Sequence, residues 1–410
     1  MARLFSSGFE LNSVSDGVEW DINTGSPTIS STTVRSGTYA GRTSSLTSTV
    51  RMGWLQQFVS AASNGPFFYR FYFRYHVLPN VASTRIFVGL ATAAIAGASS
   101  CSIRLTSTGT LQLWRSGNAS QIGSDSAALT VDTWYRIEVQ WDKTPAGGSQ
   151  ILNAFLDGTQ FAGSSTETIT NQTIAFMIGA SLAAQADTAG DYFFDDVAVN
   201  NNTGSFQTSL PGVGQIIHLY PNAAGDNNAF TVQVGGTAGS ANNFTRVKEV
   251  PPDDVTTYNA EVLSGDIDDF NIDNTPSSIA SGDTINVIQV GIRYNAAVAA
   301  AEAVFNVRYK KTASGTVTSS ANITPNSVTW GTNANAVPKT APIVAYQDPD
   351  AGTITKATLD TSQIGYAIAT TGTNAAQIST VWMLVDSTPV VVVATASTGF
   401  MTTNTGFWGT

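Results

Sequence analysis

The chain is poor in charge, cysteine and histidine, and each shortage excludes something. Asp, Glu, Lys and Arg make up 12% of its 410 residues, against about 25% in an ordinary soluble domain. Cys101 is the single cysteine, so no internal disulfide can form. His76 and His218 are the two histidines, and neither has a His or Cys partner at the spacing a zinc site needs. Lys and Arg number 19 against 29 Asp and Glu, a formal net charge of −10. Phosphate binding requires a clustered positive field, so nucleic acid is not expected as a direct partner. A membrane span takes about 20 consecutive apolar residues, and no such run occurs. The opening MARLFSSGFE lacks the apolar core of a secretory signal. A soluble protein made in a cytoplasm is the expectation.

Hydrophobic residues are plentiful at 42%, enough for real cores. They are richest at Gly65–Asn80, GPFFYRFYFRYHVLPN. A strand sends alternate side chains to opposite faces. Phe67, Tyr69, Phe71, Phe73, Tyr75 and Val77 then form one apolar row, which predicts a core face. Phe68, Arg70, Tyr72, Arg74 and His76 form the other, which predicts a covered or partly wet surface. Gly65-Pro66 and Pro79-Asn80 bound the strand as turn residues. Short alternating segments continue on both sides, at Arg85–Leu90, Cys101–Leu105, Leu111–Arg115, Trp134–Trp141, Ile151–Leu156, Ile174–Ile178 and Tyr192–Val199. Asp157-Gly158 reads as a hairpin turn. Regular short strands of this kind predict an all-β sandwich or jelly roll.

Four stretches in order, Gly8-Phe9-Glu10, Thr133–Glu138, Phe155-Leu156-Asp157-Gly158 and Phe194-Asp195-Asp196-Val197, give residues 1–200 a resemblance to the concanavalin A-like (laminin-G-like) jelly roll. A polar linker follows at Asn200–Ser205. Beyond it come Leu210–Pro221, Asn243–Glu249, Pro252–Tyr258, a strand pair expected at Ile285–Tyr294 and Ala303–Lys310, the turn Asp348–Gly352, Leu359–Tyr366 and Ile378–Val385. This set resembles a C-terminal module of tailed-bacteriophage virion proteins, where it follows a laminin-G-like domain. The expected fold is therefore all-β: a concanavalin A-like jelly roll over 1–200, a second β-sandwich over 206–386, and an assembly tail over 387–410.

Candidate sites are few. Asp195 and Asp196 sit on the last strand of the first half, where alternation sends them to opposite faces and puts Asp195 beside Phe193, Val197 and Val199. A carboxylate there needs a partner. A structural calcium shared with Glu10, as in carbohydrate-binding jelly rolls, is one reading; Arg or backbone N–H groups are the other. Apart from this possible calcium no cofactor is expected. Glu138-Val-Gln-Trp-Asp142 departs from the Glu-X-Asp-X-X-Glu strand of hydrolases with this fold, so glycoside hydrolysis is not expected. Asp266, Asp268, Asp269 and Asp273 resemble a calcium loop, but Asn271 stands where its glycine belongs, and a solvated acidic loop is expected. Trp20, Trp54, Trp114 and Tyr192 are candidate sugar-stacking rings, with core packing as the alternative.

The resemblance implies a non-enzymatic virion structural protein: a capsid decoration or a head- or tail-fibre component, made in the host cytoplasm and located on the virion. The alternative is a receptor-binding adhesin for a host surface glycan. Expected partners are other virion proteins and further copies of the chain, a trimer above all. The tail carries the assembly candidates Val390, Val392, Phe400, Phe407 and Trp408; a further edge strand of its own domain is the other reading.

Overall fold

The computed structural model describes residues 2–15, 17–25, 27–44, 54–90, 99–115, 120–179, 187–298, 302–333 and 340–390. Among them nearly all regular structure is strand, broken by the short helical turns Ser240–Arg246 and Lys356–Leu359. The protein is all-β, and the strands of the described residues form four sheets.

Two sheets face each other in the first half. One has eight strands, ordered Thr159–Glu167, Gln150–Leu156, Tyr135–Asp142, Phe67–Val77, Asp191–Asn201, Ala40–Ser44 and Thr28–Ser30, with Arg3–Ser7 also on Asp191–Asn201. The other has seven, ordered Ser120–Ile122, Leu111–Arg115, Ser99–Thr106, Ser83–Leu90, Thr173–Gly179, Trp54–Ser63 and Ile22–Thr24. The aromatic strand is central to the first sheet. Phe67, Tyr69, Phe71, Phe73 and Tyr75 fill the space between the sheets. Tyr69 and Phe71 meet Phe87 of the opposite sheet at ring distances of 5.0 and 5.6 Å. Each such buried ring contributes roughly 1.5–3 kcal/mol by removal from water. Val77 departs from the expected core row: it runs past the end of the core and is exposed. The Asp157-Gly158 turn joins Gln150–Leu156 to Thr159–Glu167. Both residues have positive φ, 49° and 86°, as a two-residue hairpin of the primed type requires.

The second half is another pair of sheets. Val232–Val234, Tyr258–Glu261, Ala376–Thr388, Thr284–Ala296 and Gly331–Thr332 form one, with Gln215–Leu219 and Ile343–Ala345 added. Pro221–Asn228, Ile267–Ile272, Gln363–Thr370, Val304–Lys310 and Val317–Ser319 form the other. The expected pairing of Ile285–Tyr294 with Ala303–Lys310 does not occur. The chain crosses between sheets at that point, so the two strands face each other through the core. Tyr294 and Phe305 meet there edge to face at 5.1 Å.

A third apolar cluster joins the halves. Leu11, Val18 and Ala198 of the first pack with Ile216, Trp382 and Leu384 of the second. This seam covers one end of the outer face of the Phe67–Val77 strand and leaves the other end open.

Candidate functional site

The last strand of the first half carries a bulge that the sequence reading missed. Its register against Phe67–Val77 shifts between Asp195 and Ala198, and Asp196 has a φ of 49°. One extra residue reverses the side-chain alternation. Tyr192, Phe194, Val197 and Val199 therefore all enter the core. Asp195 does not share a face with Val197 and Val199. Both aspartates instead reach one loop, Arg35–Tyr39.

Glu10 reaches the same loop. Asp195 Oδ2 accepts from the Arg35 N–H at 2.9 Å and the Ser36 N–H at 3.3 Å. Asp196 accepts from the Arg35 guanidinium, from Ser36 Oγ at 2.6 Å and from the Ile216 N–H of the second half. Glu10 Oε1 accepts from the Thr38 and Tyr39 N–H groups at 2.9 and 3.1 Å. Gly37, at a φ of 64°, lies against the Glu10 carboxylate where any Cβ would collide. The three acids grouped from the sequence all reach this loop, and their oxygens already have protein donors. Among the described residues no group of three His, Cys, Asp or Glu side chains is arranged to hold a metal ion. Burial pushes the Glu10 carboxyl up to about 8, against the pull of the two N–H groups. Burial, reinforced by Asp196, also raises Asp195 well above the carboxylate range.

Beside this clamp lies an ion cluster spanning the seam. Asp386 Oδ2 accepts from Arg3 Nη1 at 2.6 Å and from Arg70 Nη2 at 3.1 Å, and all three side chains are fully buried. Burial opposes the Asp386 charge, but Arg70 and Arg3 hold its carboxyl below the usual range. Arg3 also donates to Asn200 Oδ1 at 2.7 Å, and its N–H to the Tyr346 hydroxyl at 2.7 Å. The Tyr220 hydroxyl donates to the Glu10 carbonyl at 2.6 Å. Nearby, Glu19 and His218 line a small cavity between the halves. Burial pushes Glu19 up to about 7 and His218 down to about 3, so His218 is uncharged at neutral pH, while Glu19 is only partly protonated there.

The open end of the same sheet face is different. Four strands run alongside one another there, and Arg42, Arg74, His76, Asp191 and Phe193 line a groove of about 300 Å³ with Asp132 from a loop. Arg42 grips Asp191 through two bonds of 2.8 and 2.9 Å. Arg74 Nη2 and His76 Nδ1 share Asp132 Oδ1 at 2.6 and 3.0 Å. The Phe193 ring lies 5.5 Å from the Arg42 guanidinium and 5.7 Å from that of Arg74. Period-two alternation predicted Arg74 and His76 on this face. Asp132 and Arg42 are far away in sequence and gave no signal.

The remaining candidates scatter. Trp20 is 1% exposed and packs on Phe5, Phe9 and Phe176, and Tyr192 is 0% exposed with its hydroxyl on Asp187. Neither presents a ring to a sugar. Trp114 is half-buried under the Arg104 guanidinium, 3.7 Å from its ring centre. Trp54 lies on a described strand, but its side chain is outside the described residues, as are Val392, Phe400, Phe407 and Trp408. Val390 is exposed, and its N–H donates to Asp283. Glu138 is buried, held by Arg136 at 3.1 Å and by the Gly212 N–H at 2.7 Å, while Asp142 caps Thr144. Asp268 and Asp269 form no solvated loop: they lie on a strand and are fully buried. Asp269 pairs with Arg308 and Lys310, and Asp268 accepts from Asn243.

No family model and no curated protein matches the chain. Among solved structures it is similar to the cellulose-induced protein Cip1, at 12% identity and a TM-score of 0.38 over 51% of this chain and 99% of that one. It is also similar to the PL-14 alginate lyase of Aplysia kurodai, at 11% identity and a TM-score of 0.37 over 48% and 99%. The Trypanosoma rangeli sialidase gives 17% identity and a TM-score of 0.27; the match spans 33% of this chain and a fifth of the sialidase. Likeness this loose assigns no activity.

Proposed function

We propose that the chain is a non-enzymatic structural protein of a virion surface, a capsid decoration or a head- or tail-fibre component. The observation that carries this reading is the Arg3–Asp386–Arg70 cluster. A buried ion cluster adds little net stability over apolar packing, but it penalises every arrangement that separates its charges. It holds the two sandwiches in one relative orientation. A displayed protein needs such a fixed angle between the unit that attaches and the unit that faces outward. The order of the two halves, resembling that of tailed-phage virion proteins, supports the same reading. Attachment falls to residues 387–410, with a closed trimer as the assembly.

The test is an antibody against the chain applied to purified virions, with sedimentation of the full chain and of a version lacking Thr388–Thr410. Surface labelling, a full-length oligomer and a truncated monomer are expected. Unlabelled particles and a monomeric full-length chain would end the proposal. The adhesin alternative is favoured by one observation, the open polar groove around Arg74 and Asp132.

A further inference from the structure

The groove collects side chains that are scarce in the chain. Only 19 Lys and Arg and two His occur in 410 residues, yet two arginines and a histidine line this one hollow. The same strand shows what happens elsewhere: Arg70, four residues before Arg74, is sealed under the second half by Asp386. Arg74 and His76 are left facing solvent beside Asp132, whose side chain is 40% exposed.

We infer that this groove is a saccharide site for a neutral, polyhydroxylated glycan chain, an inference that rests on the adhesin reading. Charge decides the class. Arg42 and Arg74 are balanced by Asp191 and Asp132, so the hollow is not an anion trap. A phosphate, sulfate or uronate would meet two carboxylates that already hold the cations. A sugar diol meets none of that opposition. It offers each hydroxyl as donor and acceptor at once, and the groove presents both kinds of partner side by side. Arg42, Arg74 and His76 supply N–H donors, and Asp132 and Asp191 supply acceptors. Thr32 and Thr33 line the same hollow. Bonds to charged partners are the stronger kind and fix orientation. Phe193 does not act as a stacking platform: it is 6% exposed and two guanidinium groups flank it. It holds the arginines in place. The volume of about 300 Å³ is at the small end of ligand sites, enough for a short stretch of a longer chain.

The full chain is applied to an array of neutral oligosaccharides of glucose, galactose, mannose and N-acetylglucosamine, alongside sialylated and uronate-containing ones. The best binder is then titrated calorimetrically. Binding to a neutral member is expected. Arg74→Ala and Asp132→Ala should each weaken it about tenfold or more, the usual effect of losing a hydrogen bond to a charged group. Thr32→Val, a milder change, should weaken it less. Arg115→Ala, a cation elsewhere on the first sandwich paired with Glu167, should leave binding unchanged. Thermal midpoints of all four verify folding. If a neutral glycan binds but the groove variants hold it as tightly as the parent, the adhesin reading stands and this site is wrong. Binding only of acidic glycans overturns the class. Binding of none ends both the site and the adhesin reading.

Discussion

Arg3 Nη1 lies 2.6 Å from Asp386 Oδ2 with both side chains at 0% exposure, although 383 positions separate them in the chain. Arg70 completes the cluster from the centre of the first sheet. Asp386→Ala leaves two guanidinium groups buried without their counter-charge. A loss of about 3–5 kcal/mol is expected, since removing one partner of a buried pair has that cost. Denaturant unfolding measures it. A change below about 1 kcal/mol, typical of exposed pairs, would show that the seam admits water.

Stability should fall as the pH rises above the ordinary carboxyl range. Folding raises Glu10 from 4.5 to about 8 and Glu19 from 4.5 to about 7. The folded chain therefore holds these protons more tightly than the unfolded one. Their contribution is complete below about 4.5 and is lost as pH climbs through 7 and 8. Asp386, held low, acts in the opposite sense and loses its contribution in acid. Melting temperatures across this range should decline toward the alkaline side, and Glu10→Gln should flatten the decline. A midpoint that rises steadily from neutral to alkaline pH would contradict the assignment.

Two of the three tryptophans named as sugar platforms, Trp20 and Trp114, should lose unequal amounts of stability when truncated. Trp20→Ala opens a cavity among Phe5, Phe9 and Phe176 and should cost about 3–5 kcal/mol. Trp114→Ala removes a half-buried ring stacked on Arg104 and should cost about 0.5–1 kcal/mol, the scale of an exposed cation–π contact. Equal losses at both positions would disprove the core assignment of Trp20.

Chelation distinguishes the two readings of Glu10, Asp195 and Asp196. Their oxygens accept from backbone N–H groups, Ser36 and Arg35. EDTA is expected to leave the melting temperature where it is, and Arg35→Ala to lower it. A ligand that binds only the folded state raises its stability, so a clear drop with EDTA would reinstate the calcium ion.

Much of the fold follows from local rules. The period-two row at Phe67–Tyr75 and the Asp157-Gly158 turn depend on neighbours in sequence, and both can be read directly. The errors arise where one residue or a long-range choice decides. The bulge at Asp196 inserts a single position and turns Asp195 away from the core, with no compositional mark. Ile285–Tyr294 and Ala303–Lys310 look like a hairpin by spacing, yet packing sends them to facing sheets. Asp268 and Asp269 look like a hydrated loop because charge is usually wet, but Arg308, Lys310 and Asn243 meet them inside. The groove was half legible: alternation gives Arg74 and His76, whereas Arg42 and Asp132 arrive only through sheet pairing and loop placement.

The seam also constrains how such a protein can be shuffled between genomes. The polar stretch at Asn200–Ser205 looks like an ideal crossover point for exchanging one module for another. A donor module lacking an acid at the place of Asp386 would leave Arg3 and Arg70 stranded, and a recipient lacking those arginines would strand the acid. Viable recombinants must therefore inherit both sandwiches as one cassette, or carry matched changes at three positions spread from one end of the chain to the other.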